Sequence, residues 1–208
     1  MSATHCSRCG RSLADPACCV RSADPVAYDR DGDALWEGAP ARYCPDCGER
    51  LLAGPHACPP RVIRFYGVGG SYGAFSNFAP YELVIEGRRY PTSEHYFQAQ
   101  KFAGSAYAET IRGAVTPATA ARLGRSRRHK LRSDWEAVKR EVMLVALRAK
   151  FSQHPALSTL LLETGDARLV EHTPRDRYWG DGGDGSGKNW LGRLLERVRE
   201  ELGAASLS

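Results

Sequence analysis

The chain has 208 residues, a hydrophobic fraction of 42% and a formal net charge of +5 at pH 7. That is room for one ordinary domain plus a small module, with enough apolar material for a packed core. No run of about twenty apolar residues occurs, which argues against a helical membrane span, and the first residues lack a signal-peptide core, so a cytoplasmic protein is expected. Charge is unevenly placed: residues 1–60 carry 6 Arg/Lys against 8 Asp/Glu, while the remainder carries 23 against 16, a net of +7. A basic main domain favours anionic ligands such as phosphates and, less directly, nucleic acid.

All seven cysteines precede residue 59. Cys6-Ser7-Arg8-Cys9-Gly10 and Cys44-Pro45-Asp46-Cys47-Gly48 form two matching knuckles, each offering two thiolates from a tight turn. Together Cys6, Cys9, Cys44 and Cys47 supply the four soft ligands that tetrahedral zinc prefers, and a four-thiolate site leaves no open position. A small zinc-ribbon module with structural zinc is therefore expected over residues 1–60. Disulfides are the alternative, and an intracellular setting argues against them. Cys18, Cys19 and Cys58 fit no ligand pattern, and His5 and His56 read as bystanders. Gly54-Pro55 through Pro59-Pro60 reads as the linker. The main domain is expected over 61–203, followed by a frayed tail at 204–208.

Val62 to Tyr66 reads as a strand, and Tyr81–Ile85 with Arg88–Tyr90 as a hairpin turning at Glu86-Gly87. Next comes Tyr90-Pro91-Thr92-Ser93-Glu94-His95-Tyr96-Phe97-Gln98-Ala99-Gln100-Lys101-Phe102, a helix with Ser93 as expected N-cap, Glu94 in the first turn and Gly104 as a stop. At the helical period Glu94, Gln98 and Lys101 share one narrow sector. Glu94 and Lys101 stand two turns apart, roughly 10 Å along the axis. That is too far for a simple ion pair, which prefers spacings of three or four, and suits a small sugar or nucleotide fragment between them. The plain alternative is a solvated face on a packed helix.

Further helices are expected from Thr116-Pro117 to Gly124, and from a capping box at Ser133-Asp134-Trp135-Glu136 to Phe151, with Trp135, Val138, Val142, Val145 and Ala149 as its apolar stripe. Pro155 to Glu163 is another helix, and Arg168–Glu171 a short strand. A last helix begins at Asn189 and turns Trp190, Leu191, Leu194, Leu195, Val198 and Leu202 inward. The fold class is α+β, helix-dominated with short strands.

Two further segments are candidates for ligand contact. Arg122, Arg125, Arg127, Arg128, Lys130 and Arg132 form a basic cluster. Such runs are usually just solvated, but with a phosphorylated ligand Arg125 is the favoured clamp, through bidentate geometry. Tyr178 to Asn189 is a glycine-rich loop entering a helix, which could offer backbone N–H groups to a phosphate. Gly182 to Lys188 mimics P-loop spacing, but Asn189 stands where a magnesium-holding Ser or Thr belongs. Gly192 likewise stands where an EF-hand needs Glu. Tyr178 and Trp179 could stack on a nucleobase or simply pack in the core. Phe75 offers a stacking face, Ser76 and Asn77 are candidate sugar contacts, and His172 reads as structural.

Tyr72-Gly73-Ala74-Phe75-Ser76-Asn77-Phe78, the Tyr90–Phe102 segment, Trp135-Glu136-Ala137-Val138-Lys139 and the Tyr178–Asn189 loop, taken together and in this order, resemble the YbiA-like or NADAR family. The likeness runs from about Val62 to Leu202. It implies an N-glycoside hydrolase that cleaves a ribose C1–N bond. The substrate would be a phosphoribosylamino-pyrimidine intermediate of riboflavin synthesis, or ADP-ribosylated guanine in nucleic acid. A non-catalytic reader of ADP-ribose or NAD derivatives is the alternative, and a zinc-ribbon adaptor a weaker one. On the enzyme reading Lys101 is the essential amine, Glu94 moves protons and Asp181 orients the sugar. Substrate contacts are expected from Phe75, Ser76, Asn77, Gln98, Arg125, Tyr178, Trp179, Gly180, Lys188 and Asn189, and no cofactor is expected for the chemistry.

Overall fold

The computed structural model describes residues 61–205 and two short antiparallel strands, β1 (Ala27–Tyr28) and β2 (Ala34–Leu35). The chain divides into two compact units, Met1–Arg61 and Val62–Ser208. Cys6, Cys9, Cys44 and Cys47 lie outside the described residues, and so does the end of the expected tail, 206–208. Among the described residues no helix is long and apolar enough to cross a membrane.

In the second unit β3 (Val62–Phe65) alternates, with Ile63 and Phe65 buried and Val62 and Arg64 exposed. It pairs in parallel with a strand far along the chain, β6 (Arg168–Glu171), in the register Val62↔Arg168 to Phe65↔Glu171. Between them lie the hairpin β4 (Leu83–Ile85) and β5 (Arg88–Tyr90), a 3-10 turn at Gly73–Phe75 and five α-helices. Glu86 and Gly87 both have positive φ (51° and 73°), the requirement of a tight primed hairpin turn.

Helix α1 (Ser93–Gln100) is central, buried from Ser93 through Ala99. That removes the solvated-face alternative. Its N-cap is Thr92, one residue before the expected Ser93, and the Thr92 hydroxyl accepts from the His95 amide. Around α1 pack α2 (Ala106–Arg112), α3 (Pro117–Leu123) and α4 (Trp135–Gln153). The α2 helix has no counterpart in the sequence reading; it buries only Ala108 and Ile111 and is capped by Ser105. The α3 helix starts as expected, with Thr116 capping Thr119 and proline in the first turn.

The expected capping box at the start of α4 is not formed. Asp134 is the N-cap residue but makes no side-chain cap bond, because Arg132 engages its carboxylate through two N–H groups. The α4 stripe is also displaced. Met143, Leu144, Ala146, Leu147, Lys150 and Phe151 are buried alongside Trp135 and Val142, whereas Val138, Val145 and Ala149 are only partly covered.

Helix α5 (Pro155–Leu162) packs against α4 and the last helix, α6 (Trp190–Ala205), which lies on β6. A Cβ on Gly192 would stand 2.0 Å from the Leu169 carbonyl oxygen, so only glycine permits this approach. Leu191, Leu194, Leu195 and Val198 of α6 are buried. Trp190, expected inward, is half-exposed beneath the guanidinium groups of Arg140 (4.4 Å) and Arg193 (5.3 Å). Each fully buried Leu or Phe of this core contributes about 1.5–3 kcal/mol.

Candidate active site

One face of α1, the end of β6 and the loops at 77–78 and 173–179 enclose a cavity of about 500 Å³. Helical period places Glu94, Gln98 and Lys101 together on its wall, with Phe97 beside them. Glu94 is only 4% exposed. Its carboxyl accepts from Asn77 Nδ2 on one oxygen and from Gln98 Nε2, at 2.7 Å, on the other. The main chain repeats the link, since the Glu94 amide donates to the Asn77 carbonyl at 3.0 Å. Burial pushes the Glu94 pKa up to about 7, against the lowering pull of the Gln98 hydrogen bond and of the Lys101 and Arg125 charges. Gln98 is held by a close approach: a Cβ on Gly124 would fall 1.9 Å from its Oε1.

Lys101 is the C-cap residue of α1. Its ammonium donates to the Gly124 carbonyl at 3.3 Å and stands 5.6 Å from the ring centres of both Phe97 and Trp135. Burial lowers its pKa; Glu94 opposes that and Arg125 adds to it. A larger share of neutral amine is the condition for a nucleophilic lysine. Lys101 and Arg125 also line a second hollow of about 660 Å³, shared with Arg127, His129, Trp135 and Glu136.

The loop that carries Asn77 is fixed from beneath by Lys150, which the sequence reading passed over. Its side chain is wholly buried, and its ammonium donates to the carbonyls of Ala74 and, at 2.9 Å, Ser76. Burial pushes the Lys150 pKa down to about 7. The available signal was its place in the helical series Met143, Leu147, Lys150, a cation inside an apolar stripe.

Asn77, Glu94, Gln98, Lys101, Arg125 and Trp179 are thus brought to one cavity. Trp179 meets Phe97 edge-on, with centroids 5.2 Å apart. The other sequence candidates stand elsewhere. Phe75 is fully buried against Phe65 and Phe151 and has no face left for a ligand. Ser76 accepts from the Phe78 amide, so it shapes the loop. Tyr178 lies outside the lining with Lys139 (3.8 Å) and Lys188 (5.6 Å) over its ring.

The glycine-rich loop differs most from its expected role. The amides of Gly182, Gly187, Lys188, Asn189, Trp190 and Leu191 donate to carbonyls of Asp176, Asp181, Arg177, Gly180, Tyr178 and Trp179 respectively. These groups, including the first amides of α6, are consumed within the loop and are not offered to a phosphate. Asn189 is buried with φ 50° and latches the loop to β6: Nδ2 donates to the Leu169 carbonyl, and Oδ1 accepts from the Glu171 amide. Asp181, expected to orient the sugar, accepts from the Thr173 and Gly183 amides and pairs with His172 Nδ1 at 2.8 Å. Burial alone would raise its pKa, but His172 and those amides hold it below the usual carboxylate range. Its carboxylate is spent on the loop and is absent from the cavity wall.

In its place the wall carries Glu171 and Asp176, neither anticipated. Asp176 accepts from the Tyr178 and Trp179 amides. Glu171 ends β6 with a buried carboxyl whose Oε2 finds no hydrogen-bond partner among the described residues. Burial, with the charges of Asp176, Glu94 and Asp181, pushes its pKa up to about 7. A glutamate closing a short strand gives no periodic signal, and only the approach of Trp179 and α1 makes it a wall residue.

Comparison with known proteins agrees with this architecture. The NADAR domain family matches residues 64–203. The N-glycosidase YbiA of Escherichia coli (strain K12) is 54% identical over 147 residues, covering 71% of this chain and 92% of the relative. The N-glycosidase Npun_R5314 of Nostoc punctiforme is 46% identical over 144 residues, with 68% and 92% covered. The chloroplastic riboflavin biosynthesis protein PYRR of Zea mays is 40% identical over 156 residues, a quarter (25%) of that longer protein and 68% of this chain. The NMR structure of E. coli YbiA superposes with a TM-score of 0.68 at 53% identity, covering 74% of this chain and 91% of that one. A helix-dominated domain with short strands, Glu94 and Lys101 on one cavity wall and these relatives lead to one assignment: the chain belongs to the NADAR domain family.

Proposed function

We propose that this protein is an N-glycosidase acting on phosphoribosylamino-pyrimidine intermediates of riboflavin synthesis. Relatives named N-glycosidase match over nearly their whole length, and others carry riboflavin biosynthesis in their names. The observation that carries the chemistry is the convergence of Lys101 and the amide-held Glu94 in one cavity.

As the ribose C1–N bond lengthens, positive charge grows on C1 and the ring oxygen. The Glu94 carboxylate, preorganised by Asn77 and Gln98, stabilises that charge. Lys101 Nζ attacks C1, and the electron pair of the breaking bond leaves with the base nitrogen. Glu94 takes the proton released by the new C–N bond and passes it to the ring oxygen as the ring opens to a Schiff base. Water then adds to the imine carbon, and the lysine departs as a free amine. Trp179 offers a stacking face to the base and Arg125 a bidentate partner to the phosphate. A non-catalytic reader would need neither the amine nor its lowered pKa.

A second substrate reading, ADP-ribosylated guanine in nucleic acid, draws on the hollow beyond Lys101, where Arg127 and His129 would meet a longer polyanion. Mass spectrometry of products, with riboflavin precursors and an ADP-ribosyl-guanine oligonucleotide offered in parallel, separates the two. Ribose phosphate release from the former alone is expected. Binding without turnover on both would overturn the enzymatic reading.

For the first unit we keep structural zinc on Cys6, Cys9, Cys44 and Cys47 as a proposal, resting on knuckle spacing alone. Metal analysis should return about one zinc per chain, lost in Cys6→Ser.

A further inference from the structure

We infer that Glu171 is the general acid of this site, holding the proton that the departing base nitrogen takes as the C1–N bond breaks. This rests on the N-glycosidase reading and adds a residue to it. Glu171 lines the same cavity as Glu94 and Lys101. Its main chain is held on both sides, since the Glu171 amide donates to Asn189 Oδ1 and its carbonyl accepts from the Asp181 amide, both at 2.9 Å.

The two cavity glutamates differ in their partners. Glu94 accepts an amide N–H on each oxygen, an arrangement that suits the ionised form. The Glu171 carboxyl has no protein donor among the described residues, and its Oε2 is sealed from solvent without a partner. The acidic groups that bear on it are Asp176, Glu94 and Asp181, all opposing a negative charge on Glu171, while Lys101, Arg125 and Arg175 are the cations of the same wall. A buried carboxyl so placed is cheapest as the neutral acid, which has an O–H to donate. Burial raises the pKa values of Glu171 and Glu94 alike to about 7, so their hydrogen-bond partners, not their burial, divide the two roles. Two carboxyls in one site, one set to accept and the other to donate, is the division that glycosidic cleavage uses.

The proton ledger closes. The bond's electron pair goes to the leaving nitrogen, and Glu171 gives that nitrogen its proton and becomes a carboxylate. The water that later releases the sugar returns a proton to Glu171. The sum is N-riboside plus water giving free sugar phosphate and amine.

The test measures kcat and KM against pH for the full chain, wild type and Glu171→Gln, on the phosphoribosylamino-pyrimidine. The inference predicts a fall in kcat of about 10²–10⁴-fold with KM within about threefold. It also predicts loss of the alkaline limb of the kcat profile, and partial recovery in Glu171→Asp. A Glu171→Gln enzyme within about threefold of wild type in kcat, with the alkaline limb intact, overturns it. Should Glu171→Gln fail to fold, carboxyl carbon NMR of the wild type decides: a Glu171 already ionised below about pH 5 overturns the proposal, and one protonated to about pH 7 sustains it. An inactive wild type would bring down the enzymatic reading itself, a result distinct from an active wild type with an active variant.

Discussion

Helix α1 and the glycine-rich loop at 178–189 look equally suited to ligand binding in the sequence, yet they do opposite things. Helix α1 anchors its first amides on the Asn77 carbonyl and the Thr92 hydroxyl and sets the side chains of Glu94, Gln98 and Lys101 along a cavity wall. The loop spends its amides, and the side chains of Asp181 and Asn189, on holding itself and β6 together. A polar motif is a ligand site where its side chains line an open cavity, and on that count the helix qualifies and the loop is mostly scaffold.

The comparison breaks most sharply at Lys101. Lys101→Ala should lower kcat by about 10³-fold with little change in melting temperature, because its cavity-facing amine is replaced without opening the core. Retention of near-normal kcat would remove α1 from the chemistry. Gly124→Ala comes next: the new Cβ drives Gln98 off Glu94, and kcat should fall about 10–100-fold while the protein stays folded. A crystal structure showing Gln98 still bonded to Glu94 would contradict that account.

Lys150→Met tests the support beneath the Asn77 loop. It leaves the Ala74 and Ser76 carbonyls without their donor and should cost about 1–3 kcal/mol in denaturant unfolding, with a smaller loss of kcat than at Lys101. On the loop, Asp181→Asn should act chiefly on stability and reduce kcat less than Lys101→Ala does. The folded pKa of Asp181 is depressed, so its contribution is present above the unfolded value of about 3.9 and is lost as pH falls through the folded one. The gap in melting temperature between wild type and Asp181→Asn should therefore close below about pH 4. A gap that persists at lower pH would mean that Asp181 stabilises by something other than its charge, and a kcat loss exceeding that at Lys101 would make the loop a catalytic element after all.

What the sequence made legible follows from range. The α1 stripe was readable because helical period alone aligns Glu94, Gln98 and Lys101. The β4–β5 turn was readable because Glu86-Gly87 is a local signal. Thr92 displaced Ser93 as the cap because both residues suit the position, and backbone geometry decides between them. The capping box at Ser133–Glu136 is not formed because the N-cap falls one residue later, at Asp134, and the Glu136 carboxylate pairs with Lys139. Helix α2 was missed since a seven-residue segment burying only Ala108 and Ile111 carries little periodicity. The parallel pairing of β3 with β6 spans the whole unit and no local pattern announces it. Glu171 and Lys150 acquire their roles from that long-range closure, as does the loop's self-satisfaction. For Lys150 a cation inside an apolar stripe is the local clue, whereas Glu171 carries none.

The most direct measurement is reductive trapping. Wild-type protein treated with borohydride during turnover of the phosphoribosylamino-pyrimidine should gain the mass of one reduced ribose phosphate, and peptide mapping should place it on Lys101. Absence of any adduct, together with near-normal turnover in Lys101→Ala, would contradict the central claim that α1 delivers the reactive amine to the cavity.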